Sequence, residues 1–189
     1  MNGTEIGERE LASLCSKGDR AAMKMLYTKY AARVITLCSR YAHGPEEAKD
    51  YMHDTMLEAI VSIGRFQYRG EGSLYAWICR IAINTSLNKL RKKGQMVLSG
   101  YESEDASFDE PIEDEADAVP LKELERMVSE LPETKKVIFN LYCIERCSHR
   151  EIADRLGITE KASSSLLSKA RKMLAEKIHE YINRRNENE

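Results

Sequence analysis

Four prolines, ten glycines and a single tryptophan are spread over 189 residues, and no apolar run is long enough to cross a bilayer. So few Pro and Gly leave long stretches in which a helix need not stop, and neither half shows the every-second-residue alternation of a half-buried strand. The first ten residues, MNGTEIGERE, carry acids where a secretory leader would carry a basic and then an apolar stretch. The chain is therefore expected to stay in the cytoplasm without direct membrane insertion. Five cysteines are an odd number scattered over helical positions, which fits reduced thiols better than a disulfide framework. Cys143, Cys147 and His149 hint at a metal or redox grouping. Cysteines at i and i+4 on a helix are more often small core residues, however, and no fourth ligand is apparent. No metal or cofactor is expected, and a redox role for Cys143 and Cys147 is left open. No Gly-rich phosphate loop, nucleophile–base pair or zinc spacing occurs, so no catalytic residues and no enzymatic activity are expected.

What is present is unevenly distributed charge. Residues 1–95 carry 15 basic and 10 acidic residues, residues 96–120 carry nine acids and no base, and residues 121–189 carry 14 bases and 12 acids. Two mildly basic modules are thus joined by a strongly acidic stretch with no helical period, which is expected to be a flexible linker because like charges repel and little apolar surface offsets chain entropy. The predicted fold is all-α, with two small helical domains at 1–95 and 121–189 joined by the linker at 96–120. The second domain carries a helix-turn-helix.

In the first module, Gly18-Asp19 precedes apolar residues recurring at three and four from Met23 to Tyr41, predicting one long helix. After His43-Gly44-Pro45 a second helix is predicted from about Glu46 to Ile63, with Ala48, Met52, Met56, Ala59, Ile60 and Ile63 inward. A loop, GRFQYRGEGS, leads to a third helix from about Ser73 that is expected to bury Leu74, Trp77, Ile78, Ile81, Ala82 and Thr85. In the second module, helices are predicted from Leu121 to about Glu130 and from Pro132. Ser148 and Glu151 form a capping box for a short helix ending at Leu156. Gly157 permits a left-handed turn, Ile158 plugs the core, and Thr159 caps a long final helix.

Three constellations point to function. Ile152, Ala153, Leu156, Gly157 and Ile158 have helix-turn-helix spacing, and the following helix has an outward face of Lys161, Ser165, Ser168, Lys169 and Lys172 with Ser164 at its edge. No acid lies between Lys161 and Ala175, so hydroxyls can meet base edges and lysines can meet phosphates. From Arg65 to Lys93 seven basic residues accompany one acid, Glu71, interleaved with Phe66, Tyr68, Tyr75 and Trp77. Phosphates take such charge and unstacked bases take such rings, which suits single-stranded DNA, although Trp77 reads better as core. Glu46, Asp50, Asp54 and Glu58 recur every four residues, with Glu47 and His53 beside them. Such like-charge pairs destabilise a helix by about 0.3 kcal/mol each, so a basic protein partner would explain the stripe.

The order of these pieces, GDRAAMKMLYTKY, GPEEAKDYMHDTMLEAI, RFQYRGEGSLYAWICRIAINTSLNKLRKK and LPETKKVIFNLYCIERCSHREIADRLGITEKASSSLLSKARKML, resembles the extracytoplasmic-function sigma factors of bacterial RNA polymerase. The resemblance implies that Glu47, Asp50, His53 and Asp54 contact core RNA polymerase, facing the basic coiled coil of its largest subunit. It implies that Arg65, Phe66, Tyr68 and Arg69, with Arg80, Asn84 and Asn88, melt and read the minus-ten element. It also implies that Lys161, Ser164, Ser165, Ser168, Lys169 and Lys172 read the minus-thirty-five element of promoter DNA. Similar proteins are often held inactive by an anti-sigma factor, so one is an expected partner. Many relatives carry more basic residues where this chain has Ala162, Ser163, Ser164 and Leu166, which leaves promoter preference open. Ser163 falls on the buried side, where its hydroxyl is expected to bond back to a carbonyl one turn earlier.

Two other readings compete. An ordinary helix-turn-helix regulator accounts for the second module but not for an acidic stripe joined to an aromatic, basic loop. A helical-bundle metalloenzyme is suggested by Asp50-x-x-His53, but a dimetal bundle needs inward carboxylates and these face outward.

Overall fold

The computed structural model describes residues 6–96 and 116–186. These are helical without strands, and they divide into two compact units with the break at residue 93. Most of the acidic connector, residues 97–115, lies outside the described residues.

The first unit is built from α1 (Glu8–Ser16), α2 (Arg20–Cys38), α3 (Pro45–Ser62) and α4 (Ser73–Lys92). Asp19 starts α2 by accepting from the Ala22 amide at 2.9 Å, and Pro45 occupies the first turn of α3, where its missing N–H costs nothing. Helices α2, α3 and α4 all pack on one another, and α1 lies against α2 and α4. The core holds Leu11, Leu26, Tyr30, Val34, Met56, Leu74, Ile78 and Leu90.

Three details depart from the sequence-based expectation. Helix α1 is not among the predicted elements, because the apolar part of its inward face is only Leu11, Ala12 and Cys15, one turn of periodicity, beside the buried Glu8. Helix α2 stops at Cys38, and Tyr41 reaches the core from the turn that follows. On α4 the buried face runs through Leu74, Ile78, Ala82, Ser86 and Leu90 with Ile83 and Leu87, which leaves Trp77, Ile81 and Thr85 half-buried. A serine is tolerated inside because its hydroxyl donates to the Ala82 carbonyl at 2.8 Å.

The second unit contains α5 (Leu121–Ser129), α6 (Glu133–Phe139) continuing into a π-helical segment (Asn140–Ile144), α7 (His149–Leu156) and α8 (Glu160–Asn186). Val119, within the span predicted as linker, is buried with Met127 and Leu131 against Ala170, Leu174 and Ile178 of α8. The predicted capping box is present: the Ser148 amide donates to Glu151 at 2.8 Å and the Glu151 amide donates to the Ser148 hydroxyl at 3.2 Å. Gly157 adopts φ 70, ψ 36, where a side chain would be strained. Thr159 then caps α8 by accepting from the Ala162 amide at 3.0 Å. Ile158 is half-buried and so plugs the turn incompletely.

Candidate DNA and polymerase interfaces

The acidic stripe on α3 is less uniform than its spacing suggests. Glu47 has a side chain only 16% exposed and accepts from the His43 amide, the Tyr51 hydroxyl and the Lys93 ammonium. Burial opposes its ionisation, but those three donors hold the carboxyl down at about 2. Glu47 is thereby committed to joining the start of α3 to the end of α4. Asp54 pairs with Lys89 of α4, and Glu46 pairs with Lys49 at 2.7 Å. Asp50 and His53 are exposed, and the His53 ring stacks on Tyr27 of α2 with 6.2 Å between centroids. Among these acids stand two residues that the charge spacing does not bring to notice, Leu57 and Val61, which are 63% and 73% exposed. They follow Asp50 and Asp54 by seven positions and share their face. The signal that could have found them is an apolar residue on the polar side of the helical wheel.

A short turn of 3₁₀ helix, Ile63–Arg65, opens the loop after α3. Arg65, Tyr68 and Arg69 are exposed. Phe66 is half-buried against Trp77 of α4, with ring centroids 5.5 Å apart and planes tilted by 52°. Trp77 is therefore not the core residue expected from its spacing but part of an outer face that continues through Arg80, Asn84 and Asn88. Asn84 and Asn88 straddle the exposed edge of that face, and Arg80 lies one turn before Asn84. Tyr75 is drawn inward, stacked on Tyr30 with the Arg33 guanidinium 3.6 Å from its ring centre. The loop closes on Ser73, whose hydroxyl accepts from the Arg69 amide at 3.2 Å and donates to the Gly70 carbonyl at 2.6 Å. Gly70 and Gly72 stand at φ 119 and φ 84, conformations that other residues adopt only with strain.

On α8, Lys161, Ser164 and Lys172 are exposed, whereas Ser165, Ser168 and Lys169 are half-buried. The Ser168 hydroxyl is enclosed without a hydrogen-bond partner among the described residues. Arg171, absent from the predicted reading face, is exposed at its edge and reaches over the Tyr142 ring at 5.7 Å. Ser163 is fully buried, and its hydroxyl lies 3.0 Å from His149 Nδ1, an inter-helix bond in place of the expected back-bond. His149 in turn stacks on Tyr142 at 4.5 Å. Burial, and then the charge of Arg171, push the imidazole below its ordinary value. Burial pushes the Cys143 and Cys147 thiols up, which favours the neutral thiol over the thiolate. Among the described residues no His, Cys, Asp and Glu side chains are grouped to hold a metal.

The family model for sigma-70 region 2 matches residues 26–95, and that for sigma-70 region 4 matches residues 121–174. The RNA polymerase sigma-H factor of Pseudomonas aeruginosa is 30% identical over 161 residues, which cover 79% of this chain and 82% of that protein. The ECF RNA polymerase sigma-E factor of Haemophilus influenzae is 27% identical over 92% of this chain and 96% of its own length, and that of Escherichia coli K12 is 24% identical over 95% and 98%. Among solved structures, CnrH in complex with the cytosolic domain of CnrY shares the fold, with a TM-score of 0.52 at 19% identity over 91% of this chain and 97% of that one. The chain belongs to the extracytoplasmic-function sigma factors of the sigma-70 family, DNA-binding transcription initiation factors that are not enzymes.

Proposed function

We propose that the chain docks on core RNA polymerase through the outer face of α3, opens promoter DNA with the loop at 65–73, and reads the upstream element with α8. The observation that carries this reading is the loop. It presents Arg65, Tyr68 and Arg69 to solvent beside the Phe66–Trp77 pair, and it leads into the Arg80, Asn84 and Asn88 stripe. Duplex recognition needs no such exposed ring, whereas capture of an unstacked base does. Docking uses Asp50, His53 and Asp54 followed along the same helix by the exposed Leu57 and Val61, a charged stretch beside an apolar one, which fits an amphipathic basic helix. Glu47 is left out of this surface because its carboxylate is occupied. Lys161, Ser164, Ser165, Ser168, Lys169 and Lys172 contact the minus-thirty-five duplex, with Arg171 added at the phosphate edge. An anti-sigma partner would hold the protein inactive, and its site of action is the cytoplasm, with polymerase and promoter.

Permanganate footprinting with core polymerase and a cognate promoter tests the reading. Thymines near minus ten should become reactive, and Phe66→Ala with Tyr68→Ala should weaken that signal without removing upstream duplex contacts. Ser164→Ala with Ser165→Ala should alter minus-thirty-five preference by about 0.5 to 1.5 kcal/mol for each base-edge hydrogen bond removed, and should leave melting of a pre-opened template intact. A protein that binds its sites equally well without core polymerase and never yields reactive thymines would be an ordinary regulator.

A further inference from the structure

Glu8 is a carboxylate only 3% exposed, on a helix that precedes the stretch matched by the region 2 family model. One oxygen accepts from the Tyr30 hydroxyl of α2 at 2.8 Å, and the other accepts from the backbone amide of Leu74 at 3.0 Å. Leu74 is the second residue of α4, and its amide is one of the four that a helix start leaves without an internal partner. The local N-cap position is Gly72, which makes no side-chain cap. A residue 66 positions earlier in the chain therefore supplies the cap. Burying a carboxylate is unfavourable, and an apolar side chain of similar volume would satisfy the packing of α1 against α2 and α4 without that desolvation, at the cost of leaving the buried Tyr30 hydroxyl and Leu74 amide without an acceptor. What the apolar side chain could not do is fix the first turn of α4 to α1 and α2 in one position.

That turn is the downstream anchor of the loop at 65–73. The Ser73 hydroxyl, next to Leu74, accepts from the Arg69 amide and donates a hydrogen bond to the Gly70 carbonyl, so the placement of Arg69 and its neighbours depends on where α4 begins. Upstream, Phe66 is anchored by Trp77, one turn further along α4. Both ends of the loop thus refer to the same helix start. We infer that Glu8 is a positioning residue for promoter opening: by capping α4 from α1 it holds the loop in the conformation that presents Phe66, Tyr68 and Arg69 to an unpaired base. This inference rests on the proposed role of the loop.

The test uses the full chain with core polymerase and a single-stranded oligonucleotide carrying the minus-ten element, with each base substituted in turn. The readout is the affinity ratio between cognate and substituted strands. Glu8→Leu, which fills the space but leaves the Tyr30 hydroxyl and the Leu74 amide without their acceptor, should melt at a lower temperature than the parent yet stay folded and bind core polymerase with parental affinity, while lowering the discrimination ratio by about tenfold. Glu8→Gln, whose amide oxygen can still cap Leu74, should restore most of that ratio. Glu8→Ala adds a cavity, so Glu8→Leu decides the matter if Glu8→Ala fails to fold. Parental discrimination in folded Glu8→Leu, alongside its loss in Phe66→Ala with Tyr68→Ala, would overturn the inference and leave the loop reading standing. Undiminished discrimination in the double loop variant would overturn both.

Discussion

His149 and Ser163 illustrate how a single polar residue finds its place in this molecule. A serine at a buried helix position must satisfy its hydroxyl, and the nearest local acceptor is a carbonyl one turn back. Here the hydroxyl instead meets an imidazole from the preceding helix, 3.0 Å away, and so joins the two helices of the helix-turn-helix. The partner is invisible to periodicity, because nothing in a separation of fourteen residues says that His149 turns inward over Tyr142. The consequence is pH dependence. The folded His149 value lies below the ordinary one, chiefly through burial and next through Arg171, with Glu160 pulling weakly the other way. The unfolded chain therefore takes up the proton first as pH falls. Stability is fully present above about 6.5 and declines as pH drops below it toward the folded value. Thermal melts of the full chain between about pH 7.5 and 5 should show the second unit losing stability, and His149→Gln should flatten that slope. An unchanged slope in the variant would assign the dependence to another group.

At the scale of elements, α3 carries the proposed polymerase contact. Its acids are legible from their four-residue spacing, but their roles are not: Glu47 is tied to Lys93 at the end of α4 and Asp54 to Lys89 of α4, and the same face exposes Leu57 and Val61. Asp50→Arg with Asp54→Arg should remove core polymerase binding in pull-down, since each change turns attraction into repulsion at a desolvating interface. Leu57→Ser with Val61→Ser should weaken binding about tenfold or more while stability stays within about 0.5 kcal/mol, because both side chains already face water. Undiminished binding by both variants would return the face to ordinary solvated surface. The helices from α2 to α8 are legible because each repeats its apolar spacing over two or more turns or carries a cap such as Ser148 with Glu151. Helix α1 is not, having a single turn of signal, and the inward face of α4 is misleading in sequence because Trp77 and Ile81 look more core-like than Ser86. Apolar character fixes a helix, but which apolar residues go inside depends on neighbours that only the tertiary structure supplies. The Glu8 cap belongs to the same class, a contact across 66 residues that no local pattern encodes.

At the scale of the molecule, each unit has its own core. The first holds Leu26, Tyr30, Met56 and Ile78, and the second holds Val137, Ile138, Leu141 and Leu166. Their separate cores make the connector a question of reach. If the first unit engages the minus-ten element while the second engages the minus-thirty-five element, about 17 base pairs of spacer measure roughly 58 Å at 3.4 Å per pair. The 25 residues from 96 to 120 span at most roughly 80 to 90 Å when extended, and less once Val119 is seated in the second core. The connector is sufficient without being long. Joining two such contacts makes the second an intramolecular event whose gain vanishes when the tether cannot span the sites. Removing about 15 residues between 97 and 115 leaves a tether of at most roughly 35 Å. Such a deletion should abolish initiation from a normally spaced promoter while circular dichroism shows unchanged helix content, and a duplex carrying the minus-thirty-five element alone should still be bound. Replacing the same residues with a neutral Gly-Ser sequence of equal length should restore initiation if reach is the requirement. Transcription from the normal spacing by the shortened protein would mean that the two units do not engage both elements at once.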